Sequence, residues 1–204
     1  MKVWTYVITN DSGVAPNFDP PMPTLAVCKP QIRRQARPGD LVLAFCGKSI
    51  STNPHAVRWA GIVCEVLTFT EYWNDPRFDS KKPSASPNPD NIYQPADPQY
   101  RQVPNTTHGF ENIATDLRGQ NVLVFNRHWH FESSAPELPN KFGLHMTVGR
   151  RGHRQFLLSK RNANHLSNWL TDQFAFGLEN AGRKPVLGKS RNPQVNQRRR
   201  PPRC

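Results

Sequence analysis

The chain has 204 residues, a formal net charge of +12 and 20 prolines, and only 36% of its residues are hydrophobic. That composition allows one ordinary domain with appendages, and an ordered core smaller than the length suggests. No run of about 18 apolar residues is present, which argues against a membrane-spanning helix. The opening MKVWTYVITND lacks the charged start, apolar stretch and cleavage site of a secretory leader, so a cytoplasmic place is expected.

In chain order, KVWTYVIT (residues 2–9) reads as a strand with Trp4, Tyr6 and Ile8 on one face and Val3 and Val7 on the other. Apolar groups on both faces predict a position covered on both sides. Residues 10–23 are loop material rich in Pro, Asn, Asp and Gly, long enough to suggest a functional role. Pro30 opens a short helix, QIRRQA, with Lys29 as its cap, and the RPGD run at residues 37–40 ends it. LVLAFCG is a buried strand and KSISTNPHA a loop. VRWAGIVCEVLTFT (residues 57–70) is a long strand with Gly61 at a bulge or bend, and EYWNDPRF is a helical turn.

Residues 79–107 hold six prolines and are expected to form an extended, surface-wrapping excursion. NVLVF (residues 121–125) is another strand, continuing into NRHWHF. Met146 to Val148 adds a short one. Leu166, Trp169, Leu170 and Phe174 recur at helical spacing, with Gly177 as the expected stop. Several strands, few helices and long loops predict an α+β fold, a small mixed β-barrel flanked by helices. Residues 1–180 form the expected domain and residues 181–204 a disordered basic tail. Of the net +12, eight units come from Arg183, Lys184, Lys189, Arg191, Arg198, Arg199, Arg200 and Arg203, which leaves +4 for residues 1–182. Such a tail adds non-specific attraction to nucleic acid through counterion release, or simply solubilises the chain.

Two sets of residues carry a resemblance. RPGDLVLAF followed by WAGIVCEVLTFTEYWNDPRF resembles the PUA-like superfamily, with the EVE and ASCH branches nearest in style. The ordered series TYVITNDSGVAPN, TLAVCKPQIRR, GD, EYWNDPRF, DNIYQ and NVLVF, over roughly residues 2–140, resembles the nucleotide modification associated domain 2 family. The resemblance implies a PUA-like barrel that binds RNA or modified bases in DNA, and a place among the base-modification systems of phage and bacteria. HWHFES departs from the aromatic-aromatic-glycine ending expected there.

The residues themselves suggest a phosphate grip. A helix start presents outward-pointing N–H groups, and Lys29, Arg33 and Arg34 gather around it, with Ile32 and Ala36 as the buried stripe. A solvated basic helix face is the alternative. For the base or nucleotide pocket the candidates are Tyr6, Asn10, Asp11, Trp59, Asp90, Asn91 and Tyr93, with Trp4 and Tyr72 as further platforms. Amides and carboxylates read the edge of a base and aromatic rings stack on its face. Asp11 and Asp90 are weak catalytic candidates, as an acid–base pair or metal holders. Cys28 is a third: Lys29 and the helix start favour its thiolate, but none of the seven histidines stands at a recognisable spacing as its base. Cys28, Cys46 and Cys64 lie in or beside apolar runs and read as buried thiols. His128 and His130 share a strand face, but a metal site needs a third ligand, so no metal and no cofactor is expected.

The expected function is binding of nucleic acid, or of a modified or extruded base, in a base-modification system. The alternative is an enzyme of nucleotide or base modification, and a third reading is a scaffold of a modification complex.

Overall fold

The computed structural model describes residues 1–132, 134–145 and 152–181, with side chains as far as residue 175. Its strands are β1 (Lys2–Ile8), β2 (Thr24–Leu25), β3 (Leu41–Cys46), β4 (Val57–Thr68), β5 (Tyr93–Pro95), β6 (Tyr100–Gln102), β7 (Asn121–His130) and β8 (His153–Leu157). The helices are α1 (Pro30–Gln35), α2 (Phe69–Asn74), α3 (Ile113–Leu117) and α4 (Lys160–Ala181). Short 3₁₀ turns lie at Pro76–Lys81, Phe110–Asn112 and Asn140–Phe142. The expected strand at Met146–Val148 and the basic tail lie outside the described residues.

Six strands form one mixed sheet in the order β2-β7-β4-β3-β1-β8, with β1 and β3 parallel and the other neighbours antiparallel. β5 and β6 form a separate hairpin. Among the described residues the ladder ends at β2 and β8, and no closure into the barrel expected from the sequence is found. Closure needs a pairing between the end strands, and β2 is only two residues long.

Alternation in the strands sends apolar groups to both faces. One face carries Val3, Leu41, Leu43, Phe45, Val57, Ala60 and Trp129, and α4 covers it with Ala163, Leu166 and Leu170. The opposite face carries Trp4, Tyr6, Ile8, Val42, Ala44, Trp59, Leu123 and Phe125, and α1 with its C-cap covers it through Ile32 and Ala36. α4 continues past Gly177 to Ala181. A single interior glycine costs a helix only about 1 kcal/mol.

Where β4 pairs with β7 the register slips around Ile62, Val63 and Glu65, next to Gly61. The glycine is needed by close approach: a Cβ there would meet the Phe125 ring at 2.8 Å. α2 starts in a capping box, since the Thr68 hydroxyl accepts from the Glu71 N–H and the Glu71 carboxylate accepts from the Thr68 N–H.

The proline-rich stretch departs from expectation. Instead of wrapping the surface throughout, it drives Ile92 and Tyr93 into a third apolar cluster with Phe69, Tyr72, Phe78, Val122 and Val124. Proline blocks helix and central strand, but it leaves the segment free to pack in short pieces fixed by side-chain hydrogen bonds.

Candidate functional site

α1 begins as the Lys–Pro sequence predicts. Lys29 is its cap and Pro30 its first residue. Cys28 and Lys29 both have left-handed backbone, with φ of 58° and 44°. Two consecutive non-glycine residues in that region are strained and persist only where the surroundings fix them.

Arg33 does much of that fixing. It is wholly buried, and its guanidinium donates from Nε to the Cys28 carbonyl at 2.7 Å, from Nη1 to the Asn121 carbonyl at 2.7 Å, and from Nη2 to the Asp116 carbonyl. Burial lowers its pKa to about 10, so it stays a cation at neutral pH. This places Arg33 inside the fold and not on the solvent face that Lys29 was expected to share with it. Arg34 is exposed and donates to the Gln31 side chain. Lys29 is half-buried, with Nζ 3.5 Å from the Val7 carbonyl and 4.6 Å from the centre of the Tyr6 ring. The three basic residues therefore do not converge.

The buried network that Arg33 frames contains a group sequence reasoning missed. His108 Nε2 lies 3.6 Å from Cys28 Sγ, and His108 Nδ1 lies 2.6 Å from Asp116 Oδ2. Asp116 Oδ1 accepts the Cys28 backbone N–H at 2.7 Å, and Oδ2 also accepts the Tyr93 hydroxyl at 2.8 Å. Gln102 Nε2 donates to that same tyrosine oxygen at 3.3 Å. Burial and the neighbouring carboxylate push the Tyr93 phenol far up, which keeps it a donor. His108 and Asp116 stand 80 and 88 residues from Cys28, so no local pattern could have linked them.

His108 is set by an asparagine turn. Asn105 Oδ1 accepts the N–H groups of Thr107 and His108, at 2.9 and 2.8 Å. Thr106 and Thr107 hydroxyls donate to the carbonyls of Pro87 and Pro89, both at 2.9 Å. The sulfur, imidazole nitrogen and carboxylate atoms lie within 4.8 Å of one another, close enough for a metal ion. Yet both Asp116 oxygens are already taken by Cys28, Tyr93 and His108, which suits orienting an imidazole better than ligating. Cys28 is disulfide-bonded in the structure, whereas Cys46 and Cys64 are free.

The expected base pocket divides among three settings. Asp11 accepts from Arg58 Nε at 2.5 Å and lies 3.2 Å from His130 Nε2. His130 is stacked on Phe18, with ring centres 4.1 Å apart and planes 12° from parallel. Phe18 meets Trp59 edge-on, and Trp59 Nε1 donates to the Tyr6 hydroxyl at 2.7 Å. Tyr6 and Trp59 are core residues, and Asn10 is exposed at the end of β1. Asp90 and Asn91 are buried elsewhere. Asp90 accepts from Thr24 at 2.6 Å and Tyr72 at 2.7 Å, while Asn91 donates to the Tyr72 carbonyl at 3.1 Å. Burial raises the Asp90 pKa. Tyr93 belongs to the Cys28 network. Asp11 and Asp90 have separate partners and form no acid–base pair. His128 and His130 do share a face, and Phe18, with its centre 5.8 Å from His128, packs against both.

The model of the nucleotide modification associated domain 2 family matches residues 1–186. The chain belongs to that family. No curated protein and no solved structure gives a significant match to it. As a nucleotide modification associated domain 2 protein, it has a suggested role in nucleotide modification systems. No helix among the described residues is long and apolar enough to cross a membrane.

Proposed function

We propose that this protein binds nucleic acid or a nucleotide within a base-modification system, in the cytoplasm of a bacterium or a phage-infected cell. The observation that carries the reading is family membership over residues 1–186. The structure supports it with a partly exposed group of the right chemistry. The Phe18–His130 stack offers ring faces to a base, and Asp11 and Arg58 beside it offer hydrogen-bonding edges. Exposed Arg34 on α1 and Arg37 just after it, with Lys29, supply positive charge for phosphate, and the eight basic residues beyond residue 182 add to it. The six-stranded mixed sheet with a helix on each face is the arrangement from which we propose a PUA-like fold.

The test is fluorescence anisotropy with labelled duplex and single-stranded DNA, each with unmodified and modified bases, for the full chain and for a form ending at Gly182. Specific recognition predicts that a preference between modified and unmodified DNA survives loss of the tail and is abolished by Phe18→Ala. Equal affinity for both, lost entirely with the tail, overturns it.

A further inference from the structure

We propose that Cys28, His108 and Asp116 form a nucleophilic relay: in the reduced protein the Cys28 thiol attacks an electrophilic carbonyl carbon, with His108 as its base and Asp116 as the positioning residue. This goes beyond binding and does not depend on it.

The geometry follows the order of roles such chemistry needs. Asp116 Oδ2 holds the proton of His108 Nδ1 at 2.6 Å, which leaves Nε2 as the acceptor, and Nε2 faces the sulfur at 3.6 Å. The same carboxylate accepts the backbone N–H of Cys28, so the residue carrying the nucleophile and the group orienting the base are tied together. Tyr93, donating to Asp116 Oδ2, keeps the carboxylate turned toward His108. Arg33, bound to the carbonyls of both Cys28 and Asp116, fixes their separation. Left-handed backbone at Cys28 and Lys29 is a sharp turn at the entrance to a helix, a strained setting of the kind found at functional positions. Cys28 keeps 8% of its surface exposed, where Arg33 and Asp116 keep none.

The chemistry balances in three steps. A dithiol reductant supplies two electrons, the disulfide becomes two thiols, and the reductant leaves as its own disulfide. The Cys28 S–H proton then moves to His108 Nε2 as a sulfur–carbon bond forms at the carbonyl. The bond from that carbon to the leaving amine or alkoxide breaks, and the leaving group takes the proton from His108. Water or an acceptor amine next attacks the thioester, giving its proton back through His108, and the thiol is restored. The substrate class is therefore an ester or amide, and the intermediate a thioester on Cys28.

The test uses the full chain reduced with dithiothreitol, with p-nitrophenyl acetate as the acyl probe and iodoacetamide as the thiol probe. Peptide mass mapping is expected to place one acetyl group on Cys28, ahead of Cys46 and Cys64. His108→Gln should slow acetylation by about a hundredfold, the usual contribution of a general base. Asp116→Asn should also shift the pH midpoint of Cys28 alkylation, where the facing charged and titratable groups are His108, Asp116, Tyr93, Lys29 and Arg33. A conserved circular dichroism spectrum and unchanged DNA anisotropy in His108→Gln would separate loss of reactivity from loss of fold or of binding. Acetyl groups on Cys46 or Cys64 instead of Cys28, or a Cys28 rate that His108→Gln leaves unchanged, overturns the proposal.

Discussion

The backbone N–H of Cys28 donates to Asp116 Oδ1 at 2.7 Å, joining the start of α1 to α3 across 88 residues of chain. Both groups are buried, and Asp116 is wholly so. Replacing Asp116 with alanine leaves the Cys28 N–H and the Tyr93 hydroxyl without that acceptor. An unsatisfied buried donor costs about 1–3 kcal/mol, so Asp116→Ala should lose about 3 kcal/mol or more in urea unfolding. Asp116→Asn, which keeps one oxygen, should lose less.

Arg33 gives a sharper expectation. Its guanidinium donates to three carbonyls, of Cys28 just before α1, Asp116 in α3 and Asn121 in β7, and Arg33→Met removes that donor from each, leaving the Asp116 carbonyl with the Gly119 N–H. The variant should lose about 3 kcal/mol or more of stability in the same measurement. Gly119→Ala acts on the same place, because a Cβ there would run into the Arg33 guanidinium. Its folded state should be destabilised even though alanine is otherwise a mild change.

Asp11 predicts a pH dependence. The hydrogen bond from His130, followed by those from Arg58, holds its pKa below the ordinary 3.8 despite partial burial. A depressed carboxylate contributes stability above its unfolded value and loses it as pH falls through the lower folded value. Thermal midpoints of the wild type should therefore fall as pH drops below about 4. Asp11→Asn should flatten that part of the curve and leave the neutral end lower.

Leu166 is fully buried on the face of α4 that meets Val3, Leu41 and Leu43. Leu166→Ala should cost about 2–5 kcal/mol in denaturant unfolding. Thr68→Ala, which removes the capping box of α2, should cost about 1 kcal/mol.

What could be read from the sequence was what the local pattern decides. Alternation placed Val3 and Trp4 on opposite faces, the Lys–Pro step started α1 at Pro30, and the spacing of Leu166 and Leu170 put them in the core. Arg33 was misplaced because the i, i+4 relation to Lys29 describes a helix surface and is silent on carbonyls 83 and 88 residues away. The same limit hid the base for Cys28. His108 and Asp116 carry no spacing signal relative to it, and only the fold of the proline-rich stretch brings them there. Asp90 and Asn91 looked like ligands because polar groups in a loop ordinarily face water. Here they are spent on Thr24, Tyr72 and the backbone.

The threonine clips from Thr106 and Thr107 to Pro87 and Pro89 give the proline-rich stretch the part of a bracket. His108 hangs from that bracket through Asn105, while Tyr93, further back in the same segment, braces Asp116. Shortening residues 87–107 would thus not trim an ornament. It would unship the imidazole and loosen the carboxylate in one cut, and strip Ile92 and Tyr93 from the apolar cluster they share with Val122 and Val124 of β7.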